Sequence, residues 1–298
     1  MWFTKMHGIG NDYVYINAFE ETVHDPAELA RIISDRHTGI GADGLILVLP
    51  PDADVDADVR MRMFNADGTE AEMCGNGIRC VAKLAHDHGI STARPMKVQT
   101  ASDVLLLDYR LNDDGKVDSV TVDMGQPVLD IARIPVDLPG QQRAIDHPCT
   151  DLFDAVPPPD DWQQRCGLDA RMSCISMGNP HVVFFCDHVD QVPLERLGPV
   201  IEHHRLFPQR VNAHFVQIQS PSQITMCTWE RGSGLTQACG TGACAVCVAG
   251  ALRQRCERQI LAHLPGGDLE LYWRPSDNHV HMTGPAVEIF RGQWPTFT

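Results

Sequence analysis

Short runs of aliphatic and β-branched residues recur along the chain, mostly bounded by Gly, Pro, Asp or Asn. They predict strands over 13–17, 45–49, 59–64, 104–109, 117–122, 182–185, 214–219 and 280–282. Helical patterns are fewer. Residues 26–34 have Asp25 as N-cap and Pro26 at the first helical position. Residues 75–88 run up to Gly89, a C-terminal stop signal. Residues 240–255 make a third helix, and 194–205 a fourth that Pro199 interrupts. Strands dominate, with one long helix in each half. Segment 52–58 is acidic and 156–161 carries three consecutive prolines, so both are expected as surface loops, the second as an insertion.

The pattern repeats. Cys74-Gly75-Asn76-Gly77 resembles Cys239-Gly240-Thr241-Gly242 at an offset of 165. Gly10-Asn11-Asp12 before a strand resembles Gly178-Asn179-Pro180-His181 before a strand at an offset of 168. Asp43 before 45–49 matches Asn212 before 214–218 at an offset of 169. Three matches in one order at nearly one offset imply two related halves. Each half carries a Cys-Gly-x-Gly turn, and a cleft between the halves is expected to bring the turns face to face.

At 298 residues, 43% hydrophobic and 21% charged, the chain can build two cores of about 150 residues each. A formal net charge of −15 argues against nucleic acid or an anionic membrane as partner. The most apolar stretch, 243–252, is too short to span a bilayer, and residues 1–10 do not read as a secretory signal. The eleven cysteines are odd in number and scattered, which points to the reducing cytoplasm and to thiols rather than a disulfide framework. Most are expected as small core residues.

The two turns carry the candidate chemistry. The first N–H groups of a helix lack internal partners and favour anions such as a carboxylate. Glycines allow close approach to that backbone. A cysteine placed there is expected to have a lowered pKa. Cys74 and Cys239 would then flank one carbon. One thiolate removes an α-proton and the opposite thiol delivers another, inverting the centre without metal or other cofactor, while backbone donors stabilise the carbanionic transition state.

Rival readings are weaker. Either cysteine alone is more often a buried apolar residue. Cys239, Cys244 and Cys247 have an iron–sulfur-like spacing, but the last two fall in an Ala/Val-rich helical stretch and no fourth ligand is evident. None of Lys5, Lys83, Lys97 and Lys116 lies in a phosphate-binding context that would suit pyridoxal chemistry. Glu202-His203-His204 lacks a metal-protease spacing and reads as a solvated helix face.

Longer runs carry a family resemblance across nearly the whole chain. They are Phe3-Thr4-Lys5-Met6-His7-Gly8-Ile9-Gly10-Asn11-Asp12, Gly39-Ile40-Gly41-Ala42-Asp43-Gly44, the run from Phe64 to Cys80 that contains Asn65 and Cys74, Met177-Gly178-Asn179-Pro180-His181, Arg210-Val211-Asn212, Trp229-Glu230-Arg231-Gly232-Ser233-Gly234 and Ala238-Cys239-Gly240-Thr241-Gly242-Ala243. The chain thus resembles the diaminopimelate epimerases.

That resemblance implies an α/β (α+β) protein of two pseudo-symmetric domains, each a curved, mostly antiparallel sheet or barrel around a central helix. The domains are expected at 1–123, completed by a returning strand at 285–298, and at 124–284. It also implies a homodimer that interconverts LL- and meso-2,6-diaminopimelate on the route to lysine and peptidoglycan. By position, Asn11, Asn65, Asn179, Asn212, Glu230 and Arg231 are implied substrate contacts. Gly75-Asn76 and Gly240-Thr241 are implied as the backbone cradle, and His181 and Glu230 as modulators of the cysteine pKa values. Read without the resemblance, Asn11 and Asn212 are equally turn residues and Glu230–Arg231 a surface pair. The chain departs from the family where Gly44 replaces a Gln of some members, Tyr13 a Phe, and Phe290 a Tyr expected at the dimer contact. A racemase for another amino acid, or a protein that only binds amino acids, would use the same scaffold.

Overall fold

The computed structural model describes residues 1–71, 75–154 and 161–295. Cys74 lies outside the described residues, as does all of the predicted proline-rich loop except Asp161. The chain divides into two compact units, Met1–Asp123 with Thr283–Thr298, and Met124–Met282.

The first unit opens with β1 (Trp2–Gly8), β2 (Asn11–Asn17), α1 (Pro26–Ser34), β3 (Gly44–Leu49), β4 (Val59–Asn65) and β5 (Glu70–Ala71). It continues through α2 (Gly75–Asp87), β6 (Met96–Gln99), β7 (Val104–Leu111) and β8 (Val117–Asp123). The second unit contains β9 (His147–Pro148), α3 (Thr150–Asp154), α4 (Trp162–Arg165), β10 (Arg171–Ser176), β11 (Pro180–Cys186) and a 3-10 turn at Val189–Gln191. There follow α5 (Leu194–Glu202), β12 (Asn212–Ser220), β13 (Gln223–Glu230), β14 (Gly234–Leu235), α6 (Gly240–Leu252), β15 (Gln259–Leu264) and β16 (Gly267–Trp273). The chain ends with β17 (Val280–Pro285) and β18 (Val287–Gln293).

The two units share a pairing scheme. In the first, β1–β2 is antiparallel, β2–β3 parallel, β3–β4 and β4–β5 antiparallel, β4–β6 parallel and β6–β7 antiparallel. In the second, β10–β11, β11–β12, β12–β13, β13–β14, β13–β15 and β15–β16 repeat that succession in kind and order. Each unit also places its long helix between the two strands of its second parallel pair. β18 pairs antiparallel with β1, so the last strand returns to the first unit. The molecule is mixed α/β, mostly sheet with few helices. The sheet is not closed, which removes the barrel alternative.

Local sequence explains the helices that position the site. The Asp25 carboxylate accepts the Glu28 N–H at 3.0 Å and caps α1, whose Ala30 and Ile33 are buried. α2 buries most of its residues, with Gly89 in the left-handed region at φ +72° just beyond its end. α6 is apolar on every side because it packs on β10, β11, β12, β15 and β16, and Ala, Cys and Val are the side chains small enough to fit there. It ends at Leu252, three residues earlier than its pattern predicts, and α5 ends at Glu202 rather than 205. No helix among the described residues is long and apolar enough to cross a membrane.

Candidate active site

In the second unit the residues singled out by sequence come together through strand register. Parallel pairing sets His181 of β11 beside Asn212 of β12. Antiparallel pairing sets His214 of β12 opposite Thr228 of β13, two residues before Glu230. Cys239 is the N-cap of α6, in extended backbone at φ −121°, ψ 101°. The following Gly240, Thr241 and Gly242 form the first turn.

The Cys239 thiol is buried, at 3% exposure. Burial and the negative charge of Glu230 push its pKa well above the ordinary value, and the thiol donates a hydrogen bond to Glu230. The Thr241 hydroxyl, 3.7 Å from the sulfur, and the Gly242 N–H pull in the opposite direction without prevailing. This corrects the expectation that the helix N-terminus lowers the Cys239 pKa. Loss of hydration and a neighbouring carboxylate outweigh the helix end. The thiol is therefore protonated at neutral pH, with thiolate-stabilising donors already in place. Glu230 is itself oriented by the Thr236 hydroxyl, which donates to Oε1 at 2.6 Å.

The second glycine of the turn serves His214. A Cβ on Gly242 would overlap Cε1 of that ring, and would stand 2.8 Å from its Nε2 and 3.0 Å from Cys239 Sγ. Sequence reasoning assigned this glycine to ligand approach; in the structure a protein side chain occupies that space. His214 was not among the expected site residues. It is fully buried, and burial lowers its pKa to about 3. Its Nε2 is 2.9 Å from His181 Nδ1, and His181 Nε2 is 2.8 Å from Asn179 Oδ1. His181 is likewise buried and held well below its ordinary pKa by burial, with His214 and Arg231 adding to the effect.

Asn212 is held by two backbone groups. Its Nδ2 donates to the Pro180 carbonyl at 2.8 Å and its Oδ1 accepts the Arg231 N–H at 2.9 Å. The exposed Arg231 guanidinium donates to the Gln209 carbonyl at 3.1 Å. Glu202 secures the turn that follows Glu230. Its carboxylate accepts from Trp229 Nε1 at 2.8 Å and from the Gly232 N–H at 3.0 Å. Glu202 is buried at 4% exposure, which corrects its reading as part of a solvated helix face. Cys244 and Cys247 are buried within α6, and among the described residues no three His, Cys, Asp or Glu groups are placed to hold a metal ion.

In the first unit, Asn11 Nδ2 donates to Asp43 Oδ2 at 2.7 Å, and the same oxygen accepts the Asp12 N–H at 3.0 Å. Burial disfavours the Asp12 carboxylate, but Arg36 and Lys5 outweigh it and hold the pKa below the usual range. Lys5 is itself buried, bonded to Asp12 and to the Gly41 carbonyl. Asn65 Nδ2 donates to the Thr69 hydroxyl at 3.0 Å. Gly75 and Asn76 are buried at the start of α2, where Arg79 Nη1 donates to the Gly75 carbonyl and to Asn76 Oδ1, both at 3.1 Å. At Gly44 a Cβ would overlap the Phe64 carbonyl and stand 3.0 Å from the Tyr13 ring, so this backbone admits no larger residue there.

A protein-family model described as diaminopimelate epimerase matches residues 3–129 and 173–289. A diaminopimelate epimerase of Acetivibrio thermocellus is 48% identical over 293 residues, covering 98% of each chain. One of Desulfovibrio desulfuricans is 49% identical over 297 residues, covering 98% of this chain and 97% of its own. Among solved structures, a phenazine biosynthesis protein of the PhzF family from Bacillus anthracis superposes with a TM-score of 0.69 at 14% identity over 99% of both chains. A hydroxyproline epimerase from Agrobacterium vitis, with trans-4-hydroxy-L-proline bound, gives 0.61 at 17% identity, covering 99% of this chain and 90% of its own. At these identities the structural matches speak for the fold alone.

Proposed function

The chain belongs to the diaminopimelate epimerase family, and from that membership we propose that it interconverts LL- and meso-2,6-diaminopimelate with Cys74 and Cys239 as the acid–base pair. The observation that supports Cys239 is its place at the N-cap of α6, protonated and bonded to Glu230, with the Gly242 N–H and Thr241 hydroxyl ready to receive a thiolate. In the direction where Cys239 is the acid, the Cys74 thiolate takes the α-proton and becomes a thiol. The carbanion then takes the Cys239 proton on its other face, leaving a thiolate at Cys239. The centre is inverted, and the reverse reaction starts from the product state. No external base, redox partner or cofactor enters this balance.

The remaining roles follow the family pattern. Gly75-Asn76 and Gly240-Thr241 form the cradle for the reacting amino acid, where backbone N–H groups meet developing negative charge. Asn11, Asn65, Asn179, Asn212, Glu230 and Arg231 recognise the substrate. Arg231 offers a planar fork suited to a carboxylate. Asp43 joins this set as a positioning residue, because its carboxylate fixes the Asn11 amide. The enzyme serves lysine and peptidoglycan precursor synthesis in the cytoplasm. It acts as a homodimer, a reading supported by the exposed apolar side chains of Trp2, Val287, Ile289 and Phe290 on the adjacent strands β1 and β18.

The test is a substrate panel. LL-diaminopimelate, proline, hydroxyproline, glutamate and alanine are incubated separately with the protein and resolved by chiral chromatography. The expected result is inversion of diaminopimelate alone. Inversion of another amino acid in preference would assign the scaffold to a different racemase, and binding without inversion would make it a capture protein.

A further inference from the structure

Four side chains form one hydrogen-bonded file in the second unit: Thr228, His214, His181 and Asn179. Thr228 Oγ1 and His214 Nδ1 are 2.9 Å apart, as are His214 Nε2 and His181 Nδ1, while His181 Nε2 and Asn179 Oδ1 are 2.8 Å apart. His214, His181 and Thr228 are all buried. The Asn179 carbonyl oxygen can only accept, so His181 must carry its proton on Nε2. Neutral His181 then presents a bare Nδ1, and His214 must donate to it from its own Nε2. That leaves His214 Nδ1 as an acceptor, which the Thr228 hydroxyl satisfies. Every donor in the file meets an acceptor, and both rings are neutral. In the opposite tautomer of His181, bare Nε2 would face the Asn179 carbonyl, acceptor against acceptor, at 2.8 Å.

We propose that His214 and Thr228 are positioning residues that lock the tautomer of His181, and through it hold the Asn179 amide with its oxygen toward the ring and its N–H donors turned to the substrate. The inference rests on the reading of Asn179 as a substrate contact. It explains why a second imidazole is buried behind His181, and why glycine suits residue 242: the His214 ring that meets His181 also lies where a Cβ on residue 242 would stand. The His214 ring and Cys239 Sγ both lie close to Gly242, within 2.2 Å and 3.0 Å of where its Cβ would stand, so the glycine leaves room for both groups. Geometric fixing of this kind matters because a small misplacement of a contacting group is enough to cost about 10²-fold in rate.

Two measurements test it on the intact protein. The first is a long-range proton–nitrogen correlation spectrum of the 15N-labelled chain at neutral pH. It should show His181 and His214 both neutral and both protonated on Nε2. A proton on Nδ1 of either ring overturns the proposal, whatever the chain's activity. The second compares His214→Phe, His214→Gln and Thr228→Val in steady-state epimerisation, with thermal unfolding beside each. Phe fills the space without donating, and is expected to lower kcat/KM about 10–100-fold with a raised KM. Gln can donate to His181 and accept from Thr228, and should recover most of that loss. Val keeps the shape of Thr228 and should show a smaller rise in KM. Equal losses in Phe and Gln that follow their melting temperatures would make His214 a core filler and overturn the proposal. Should His214→Phe not fold, wild-type KM and kcat in Thr228→Val would overturn it as well. A wild-type chain inert toward diaminopimelate would instead defeat the functional reading, leaving the tautomers to be judged by the spectrum.

Discussion

Gly242 packs against the imidazole of His214, with room for a hydrogen and none for a methyl group, whose carbon would stand 2.2 Å from Cε1. A single added carbon there would press on the His214 ring and stand 3.0 Å from Cys239 Sγ, so both groups would feel it. Gly242→Ala is expected to destabilise the fold by about 1–3 kcal/mol, the usual range for overpacking a filled core. It should also depress turnover more than a surface Gly→Ala change does. Denaturant unfolding and initial rates on the same preparation check both.

Acid should destabilise the molecule through the same pair. His181 and His214 have folded-state pKa values below the ordinary one, His214 at about 3. Their contribution is fully present above the unfolded value of about 6.5 and is lost as pH falls toward the folded value, because the unfolded chain binds those protons first. Unfolding free energy should therefore drop between pH 6.5 and 4. Replacing one of these groups, as in His214→Gln, should make the slope shallower by up to about 1.4 kcal/mol per pH unit. An unchanged slope would mean that the ring titrates in the native state as it does in the unfolded chain.

The raised pKa of Cys239 predicts slow alkylation. Iodoacetamide reacts with thiolates, and burial with Glu230 keeps this thiol protonated. Labelling at Cys239 should stay slow at pH 8 and rise as pH increases. Glu230→Gln removes a negative charge beside the sulfur, lowers the pKa, and should speed labelling at pH 8. Peptide mapping with time reads this directly. Slower labelling in the variant would reverse the assigned sign of the Glu230 effect.

Arg231→Lys should raise KM for diaminopimelate, since an ammonium lacks the planar two-donor fork. An analogue without the distal carboxylate should not distinguish variant from wild type. Equal damage to both substrates would mean that the Arg231 guanidinium serves the Gln209 carbonyl rather than the ligand.

Much of this architecture was legible from residue order. All eight predicted strands lie within observed ones, the Asp25 cap on α1 is where the sequence placed it, and the internal repeat became two units with the same pairing scheme. What was missed has physical reasons. β1 looks polar because of Lys5, yet Lys5 is core, neutralised by Asp12 and bonded to the Gly41 carbonyl. β13 reads Gln-Ile-Thr-Met-Cys-Thr-Trp-Glu; its buried face of Ile224, Met226 and Thr228 includes a threonine whose hydroxyl serves His214. The helix N-terminus argument favoured a low Cys239 pKa because desolvation and Glu230, both tertiary facts, are not written in the Cys-Gly-x-Gly spacing. His214 belongs to no motif. Only strand register, pairing it with Thr228, and the missing Cβ at Gly242 reveal it.

The central claim is that Cys74 and Cys239 exchange the substrate proton with solvent from opposite faces. LL-diaminopimelate is incubated in D2O with wild type, Cys74→Ser and Cys239→Ser, and α-deuterium is measured in recovered substrate and in meso product at early times. The account predicts one deuterium at the inverted carbon of the first product formed, with little in recovered substrate, because the delivering thiol carries a solvent-derived deuteron. Each serine variant should fold normally and lose about 10²–10⁴-fold in turnover or more. Meso product without deuterium, or near-normal inversion by either serine variant, would contradict it.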